Sequence, residues 1–202
     1  MERVAHISKQ TLGFYRQISS PSRINVAKTL ENVLSVYTHK LEGQSIKVEK
    51  IWESETEIQA LAGEIRQVFS NLIANSIDAM PRGGTLTLKV SKSHDWGNGN
   101  RRGVRVVVAD TGSGIAPAQQ SKLFEPFFTT KRDVGTGLGL WVSRSIVQKH
   151  EGSFGSVAVF GQEKAAPYFQ YSCPKANPHQ LRREIQLVFL VHPYEEAYRD
   201  GG

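Results

Sequence analysis

An α/β (α+β) chain is expected here, because segments with helical and strand periodicity alternate along the sequence. Apolar residues recur at helical spacing over 26–41, 58–80 and 138–150. They alternate at strand spacing over Thr85–Val90 and fill Val104–Ala109. Clusters of Gly, Pro and Asn separate these segments. The 202 residues suit one domain of ordinary size with some chain left over, and 39% hydrophobic with 22% charged residues suits a chain that buries a core.

Val4, Ile7, Thr11, Phe14 and Ile18 give residues 1–20 a narrow helical stripe. Such a stripe fits the end of a longer bundled helix and equally a single helix packed on its own domain. Pro21 ends it by disfavouring helix at the residue before. Asn25 is placed to cap a second helix, Val26 to Leu41, with Leu30, Val33, Leu34, Tyr37 and Leu41 on one face. Gly43 can close that helix in a left-handed conformation, and Ile46–Ile51 reads as a strand.

The next helix, Ile58 to Met80, carries Ile65, Val68, Phe69, Leu72, Ile73, Ile77 and Met80 on one side. Glu64, Gln67, Asn71, Asn75 and Asp78 form a narrow polar stripe opposite. Asn and Asp are weak helix formers, at a few tenths of a kcal/mol each relative to Ala. A solvated face more often carries Lys and Glu, so the stripe suits a ligand or a hydrated Mg²⁺, with a plain surface as the alternative. Pro81–Gly84 ends the helix. The two strands that follow pair as an antiparallel hairpin with a long mobile tip over 94–100, where His94 faces solvent. Leu138, Trp141, Val142, Ile146 and Val147 mark a helix from Leu138 to His150. Ser156–Phe160 and Tyr168–Tyr171 fit closing strands, and residues 175–202 hold a basic linker and an apolar run, Ile185–Val191, without evident context.

A net charge of +6 and a pI near 9.5 permit an anionic partner. The basic residues never run beyond a pair, so nucleic acid is not expected. Cys173 is the single cysteine, which excludes an internal disulfide and fits a reducing, cytoplasmic setting. No apolar run reaches the roughly 18–20 residues of a membrane helix. The segment Met1–His6 lacks a signal-peptide core.

Chemistry concentrates between Val104 and Gly152. Asp110 ends an apolar strand and precedes Gly112 and Gly114. A buried carboxylate there accepts hydrogen bonds from an exocyclic amine such as adenine's, and glycines let the backbone approach a flat ring. Taken alone, Asp-x-Gly-x-Gly is also compatible with a plain turn or a calcium loop. Gly135, Gly137 and Gly139 precede a helix, where free N–H groups and the dipole favour an anion. No Gly-Lys-Ser/Thr follows, so this is not a Walker motif. Lys131 and Arg132 lie between the two glycine clusters, within reach of a terminal phosphate or simply on the surface.

In series, Asn71-Leu-Ile-Ala-Asn75-Ser-Ile-Asp78-Ala, Asp110-Thr-Gly-Ser-Gly-Ile115, Leu123-Phe-Glu-Pro-Phe-Phe-Thr-Thr-Lys131 and Gly135-Thr-Gly-Leu-Gly-Leu140 resemble the ATP-binding catalytic domain of bacterial sensor histidine kinases. That domain belongs to the ATPase superfamily shared with gyrase, mismatch-repair ATPases and a major chaperone. The resemblance implies a two-layer sandwich, a mixed and mostly antiparallel sheet packed on helices, with a flexible ATP lid at about 116–136. It implies ATP and Mg²⁺ as cofactors, with Asn75 on the metal. Asn71 and Lys131 are the implied catalytic residues. Around the nucleotide it places Asn75, Asp78 on the adenine side, Asp110 on the adenine amine, and Gly112, Gly114 and Ile115 against the base. Phe124 and Thr130 belong to the lid region, and Gly135, Thr136, Gly137, Leu138 and Gly139 lie near the phosphates.

The implied organisation is the end of a dimerisation-domain helix over 1–20, the catalytic domain over 21–174, and an extension over 175–202. The implied partners are a phosphoacceptor-histidine dimerisation domain and a response regulator, in a homodimeric parent that is either membrane-anchored or not. Where clamp ATPases of the superfamily place a glutamate base, four residues before the metal asparagine, this chain has Asn71. His6 lacks the acidic residue and nearby proline that follow a phosphoacceptor histidine. Glu151-Gly152 replaces the two glycines usual after His150, and Ala166-Pro167-Tyr168-Phe169 departs from the usual Gly-Thr before a Phe.

Overall fold

The computed structural model describes residues 20–53, 56–95, 101–130, 135–159 and 184–191. Helix α3, Ala62–Ala79, lies at the centre. Ile65, Val68, Phe69, Leu72, Ile73 and Ile77 along one face are each exposed by 1% or less. Full burial stabilises by about 1.5–3 kcal/mol per large apolar side chain, so this face holds the helix in place.

Opposite it stands a five-stranded sheet whose strands are, in spatial order, β2 (Ile46–Trp52), β4 (Gly84–Asp95), β5 (Arg101–Asp110), β7 (Glu184–Val191) and β6 (Ser153–Val159). Strands β2 (Ile46–Trp52) and β4 (Gly84–Asp95) run parallel, and every other neighbouring pair is antiparallel. Leu86, Leu88 and Val90 of β4 join Val104, Val106 and Val108 of β5 (Arg101–Asp110) in the same core as α3. Helices cover that face, which makes the expected two-layer sandwich.

The helix expected from Ile58 begins later. Residues Glu57–Ala60 form strand β3, paired antiparallel with β1 (Ser22–Asn25) so that Ile24 meets Ile58. Ile58 lies seven residues before Ile65 and so falls in phase with the helical stripe. Its neighbours nevertheless alternate exposed and buried, the period of a strand. The helix expected over Val26–Leu41 is also divided, into α1 (Val26–Val36) and α2 (Thr38–Gly43). Asn25 caps α1 as expected, its Oδ1 accepting from the Lys28 N–H at 2.9 Å. Tyr37 makes the break: its backbone leaves helical geometry while its hydroxyl bonds Ser70 Oγ on α3 at 2.7 Å. Leu34, Tyr37 and Leu41 keep an unbroken spacing, so periodicity could not show this.

A short helical turn, α4 (Pro117–Gln120), precedes helix α5 (Gly139–Lys149). Strand β6 (Ser153–Val159) starts three residues earlier than its periodicity indicates. The apolar run without context becomes β7 (Glu184–Val191), seated between β5 and β6 with Ile185 opposite Asp110. A catalytic domain ending at 174 omits this strand. Residues 1–19 and the expected strand Tyr168–Tyr171 lie outside the described residues.

The end of α5 explains the Glu151-Gly152 departure. Gly152 N–H bonds Val147 O at 2.9 Å and Glu151 N–H bonds Gln148 O at 2.9 Å, the two closing bonds of a Schellman motif. That motif needs a left-handed residue, and Glu151 supplies it at φ 55°. Left-handed backbone costs a non-glycine residue roughly 1–2 kcal/mol, partly offset by glycine's larger loss of freedom on folding. Glu151→Gly should therefore raise unfolding stability by about 1 kcal/mol in urea titrations. An unchanged or lower midpoint would refute the strain.

Candidate functional site

Asp110, at the end of β5, is 5% exposed. Its Oδ1 accepts from the Gly112 N–H at 3.1 Å, and the carboxylate also takes a hydrogen bond from the Ser76 hydroxyl. Burial raises its pKa above the ordinary 3.8, against the lowering effect of those two donors. Ser76 is itself buried on α3, one residue past Asn75. Sequence reasoning missed it, because a serine at the edge of an apolar stripe has no periodicity of its own.

The loop after Asp110 is pressed onto the end of α3. Ser113 N–H donates to Ala79 O at 3.0 Å. A Cβ on Gly112 would lie 2.6 Å from that same carbonyl oxygen, so this position needs glycine for close approach. Thr111, also missed, clips the loop to β4: its N–H donates to Thr85 O and its Oγ1 accepts from Thr85 N–H at 2.9 Å. Gly114 is left-handed at φ 76°, and Ile115 packs against the core.

Gly135, Thr136, Gly137 and Leu138 lead into α5, which no side chain caps. Gly137 is left-handed at φ 68° and lies against the Phe127 backbone, where a Cβ would collide. Behind the first turn of α5, Asn71 Nδ2 donates to Gly139 O at 3.0 Å and to Ser143 Oγ at 3.2 Å. Ser143 Oγ in turn donates to Gly139 O at 2.8 Å. At the other end of α5, Glu64 accepts from Lys149 Nζ at 2.6 Å and meets His150 Nε2 at 3.0 Å. Burial lowers the His150 pKa below the ordinary 6.5, with the Glu64 charge and hydrogen bond opposing.

These contacts revise the polar stripe. Glu64 and Asn71 bond α5, because α5 lies along that edge of α3. Asn75 follows one turn on and is half-buried. The Asp78 carboxylate is 36% exposed and pairs with Lys40 of α2 at 2.9 Å. Phe124 packs edge-on against Phe154 at 5.4 Å, with the Arg144 guanidinium over its ring. It anchors the lid region to α5 and β6. Thr130 is exposed, and Lys131 lies outside the described residues.

The arrangement offers a buried acceptor beside the close-packed Gly112 at one end, and helix N–H groups without a side-chain cap at the other. Those two features suit a flat amine-bearing ring and an anion. Among the described residues no group of three or more His, Cys, Asp or Glu could hold a metal. The amide oxygen of Asn75 fits an ion such as Mg²⁺, which takes one or two protein ligands and completes its shell from phosphates and water.

Because the folded pKa of Asp110 is raised, the ionised carboxylate opposes folding, and this penalty grows as pH rises from 3.8 through the raised value. Asp110→Asn should therefore melt at or above the wild-type temperature at neutral pH. Gly112→Ala should lose about 1–3 kcal/mol, since the Ala79 carbonyl cannot retreat without moving α3. A less stable Asp110→Asn, or a neutral Gly112→Ala, would contradict these geometries.

The profile described as "Histidine kinase-, DNA gyrase B-, and HSP90-like ATPase" matches residues 61–175. Sensor histidine kinase ZraS of Salmonella typhi is 37% identical over 139 residues, covering 65% of this chain and 28% of that protein. Sporulation kinase A of Bacillus subtilis is 30% identical over 153 residues, covering 75% and 23%. The chain thus spans under a third of the length of either relative. Among solved structures, the catalytic domain of histidine kinase ThkA superposes with TM-score 0.66 at 23% identity, over 86% of this chain and 96% of that one. Full-length ShkA in complex with AMPPNP gives 0.68 at 22% identity, covering 94% and 35%. ThkA in complex with the response regulator protein TrrA gives 0.65 at 21%, covering 96% and 48%. Among the described residues, no helix is long and apolar enough to cross a membrane. The chain belongs to the histidine kinase-, DNA gyrase B- and HSP90-like ATPase family, and what it carries is the ATP-binding catalytic domain of the sensor histidine kinases.

Proposed function

We propose that this chain binds Mg-ATP and presents the γ-phosphoryl group to a histidine on a dimerisation domain outside it, for relay to a response regulator. The buried Asp110, held by Ser76 and Gly112 where the glycine loop meets α3, is the observation that carries the reading. In this reading the Asp110 carboxylate accepts from the adenine amine, and Gly112, Gly114 and Ile115 pack against the base. The N–H groups of Gly137, Leu138 and Gly139 meet the phosphates, with Gly135 and Thr136 shaping that turn. Lys131, next to Thr130 in the lid segment, reaches the terminal phosphate.

Asn75 holds the magnesium ion, which when bound neutralises phosphate charge. The Asn71 amide nitrogen donates to α5, and a carboxamide cannot take a proton from water. Hydrolysis is therefore slow, and phosphate leaves by transfer to the partner domain. Relatives named as sensor kinases support this, as do a neighbour bound to AMPPNP and another bound to its response regulator. The parent protein is a homodimer whose catalytic part works in the cytoplasm, whether or not the parent is membrane-anchored.

Incubated with labelled Mg-ATP alone, the chain should take up little label. Addition of an acceptor-histidine domain should produce label that is acid-labile and alkali-stable. Acid-stable label on the partner, or rapid steady-state release of phosphate by the chain alone, would favour another reaction.

A further inference from the structure

Ser143 is 0% exposed, on the face of α5 turned to α3. Its hydroxyl completes a closed triangle: it donates to Gly139 O at 2.8 Å and accepts from Asn71 Nδ2 at 3.2 Å, while Asn71 also donates to Gly139 O at 3.0 Å. Each group uses the role its chemistry allows, since the carbonyl only accepts and the amide nitrogen only donates. The Asn71 amide nitrogen is therefore directed into α5, and the carboxamide has one orientation. The carbonyl it holds belongs to Gly139, the first residue of α5. No side chain caps that helix, so its place relative to α3 rests on contacts from behind.

Ser145 provides a natural comparison. It makes the same kind of bond to a carbonyl four residues back, Oγ to Trp141 O at 3.0 Å, yet that bond is exposed and involves no residue of α3. The chemistry is shared and only the link to α3 differs.

We propose that Ser143 is a positioning residue for the phosphates: with Asn71 it sets where the first turn of α5 stands relative to the Asp110 end of the site. This rests on the ATP reading above and refines it. Loss of the hydroxyl removes one of the two acceptors of the Asn71 amide nitrogen and one of the two side-chain donors to Gly139 O. The first turn of α5 then shifts or loosens, while Asp110, Ser76 and Gly112, fixed through α3 and β5, stay as they are. Base recognition and phosphate recognition should separate.

The test measures dissociation constants for Mg-ATP and for adenosine, by calorimetry and competition, on wild type, Ser143→Ala, Asn71→Ala and Ser145→Ala, with a thermal melt of each. For Ser143→Ala the expected result is roughly ten-fold weaker ATP binding, the scale of one buried hydrogen bond lost, with adenosine binding within two-fold of wild type. Asn71→Ala should show the same split, and Ser145→Ala should match wild type for both ligands. Unchanged ATP binding in Ser143→Ala overturns the proposal. Parallel loss of adenosine, or failure to fold, makes Ser143 merely structural and overturns it too. Failure of the wild-type chain to bind ATP overturns the underlying reading instead, and is recognised because it appears before any substitution.

Discussion

The burial of one face of α3 is the constraint on which the rest depends. Six large apolar side chains of that helix are withdrawn from water against the sheet and its neighbours, and their positions leave the helix no freedom to rotate. Its remaining surface then meets every part of the site at fixed distances. Ser76 reaches Asp110, Ala79 O takes the Ser113 N–H, and Asn71 and Glu64 grip the two ends of α5. Among the described residues, α3 bonds both the loop after Asp110 and the first turn of α5, and is their common ruler.

This arrangement changes the meaning of the asparagine stripe. A run of Asn and Asp on a helix is costly in propensity, and a ligand is a reasonable explanation of why it is there. Part of the compensation lies elsewhere. The Asn71 amide nitrogen donates to another helix, Glu64 forms an ion pair with Lys149 at the end of that helix, and Asp78 pairs with Lys40. Asn75 is left as the residue to which the metal reading applies. A side chain that positions the phosphate-binding turn serves the nucleotide just as surely as one that touches it. The difference shows only when the donors are followed to their acceptors.

The nucleotide cradle was largely readable from residue order, because glycines, a strand-ending carboxylate and a helix start are local features. Asp110, Gly112, Gly137 and the helix at Gly139 all stand where those features indicate. The errors arose where periodicity fails to distinguish alternatives. Ile58 fits a helical stripe and a two-residue alternation equally, and only pairing with β1 decides between them. Tyr37 keeps the spacing of one long helix while its hydroxyl bond to Ser70 accompanies a break. Phe124 meets Arg144 and Phe154, and Asp78 meets Lys40, contacts that no local pattern in the sequence connects to them. The run Ile185–Val191 was plainly apolar, but its place between β5 and β6 depends on pairing across 70 or more residues of sequence at either register with β5.

The central claim is that Asp110 recognises the base of a nucleotide held between α3 and α5. Titration of Mg-ATP into the wild-type chain and into Asp110→Asn, in parallel at neutral pH, measures this most directly. Saturable heat in the wild type and none in a fully folded Asp110→Asn is the predicted result. Equal binding by both chains would contradict the claim.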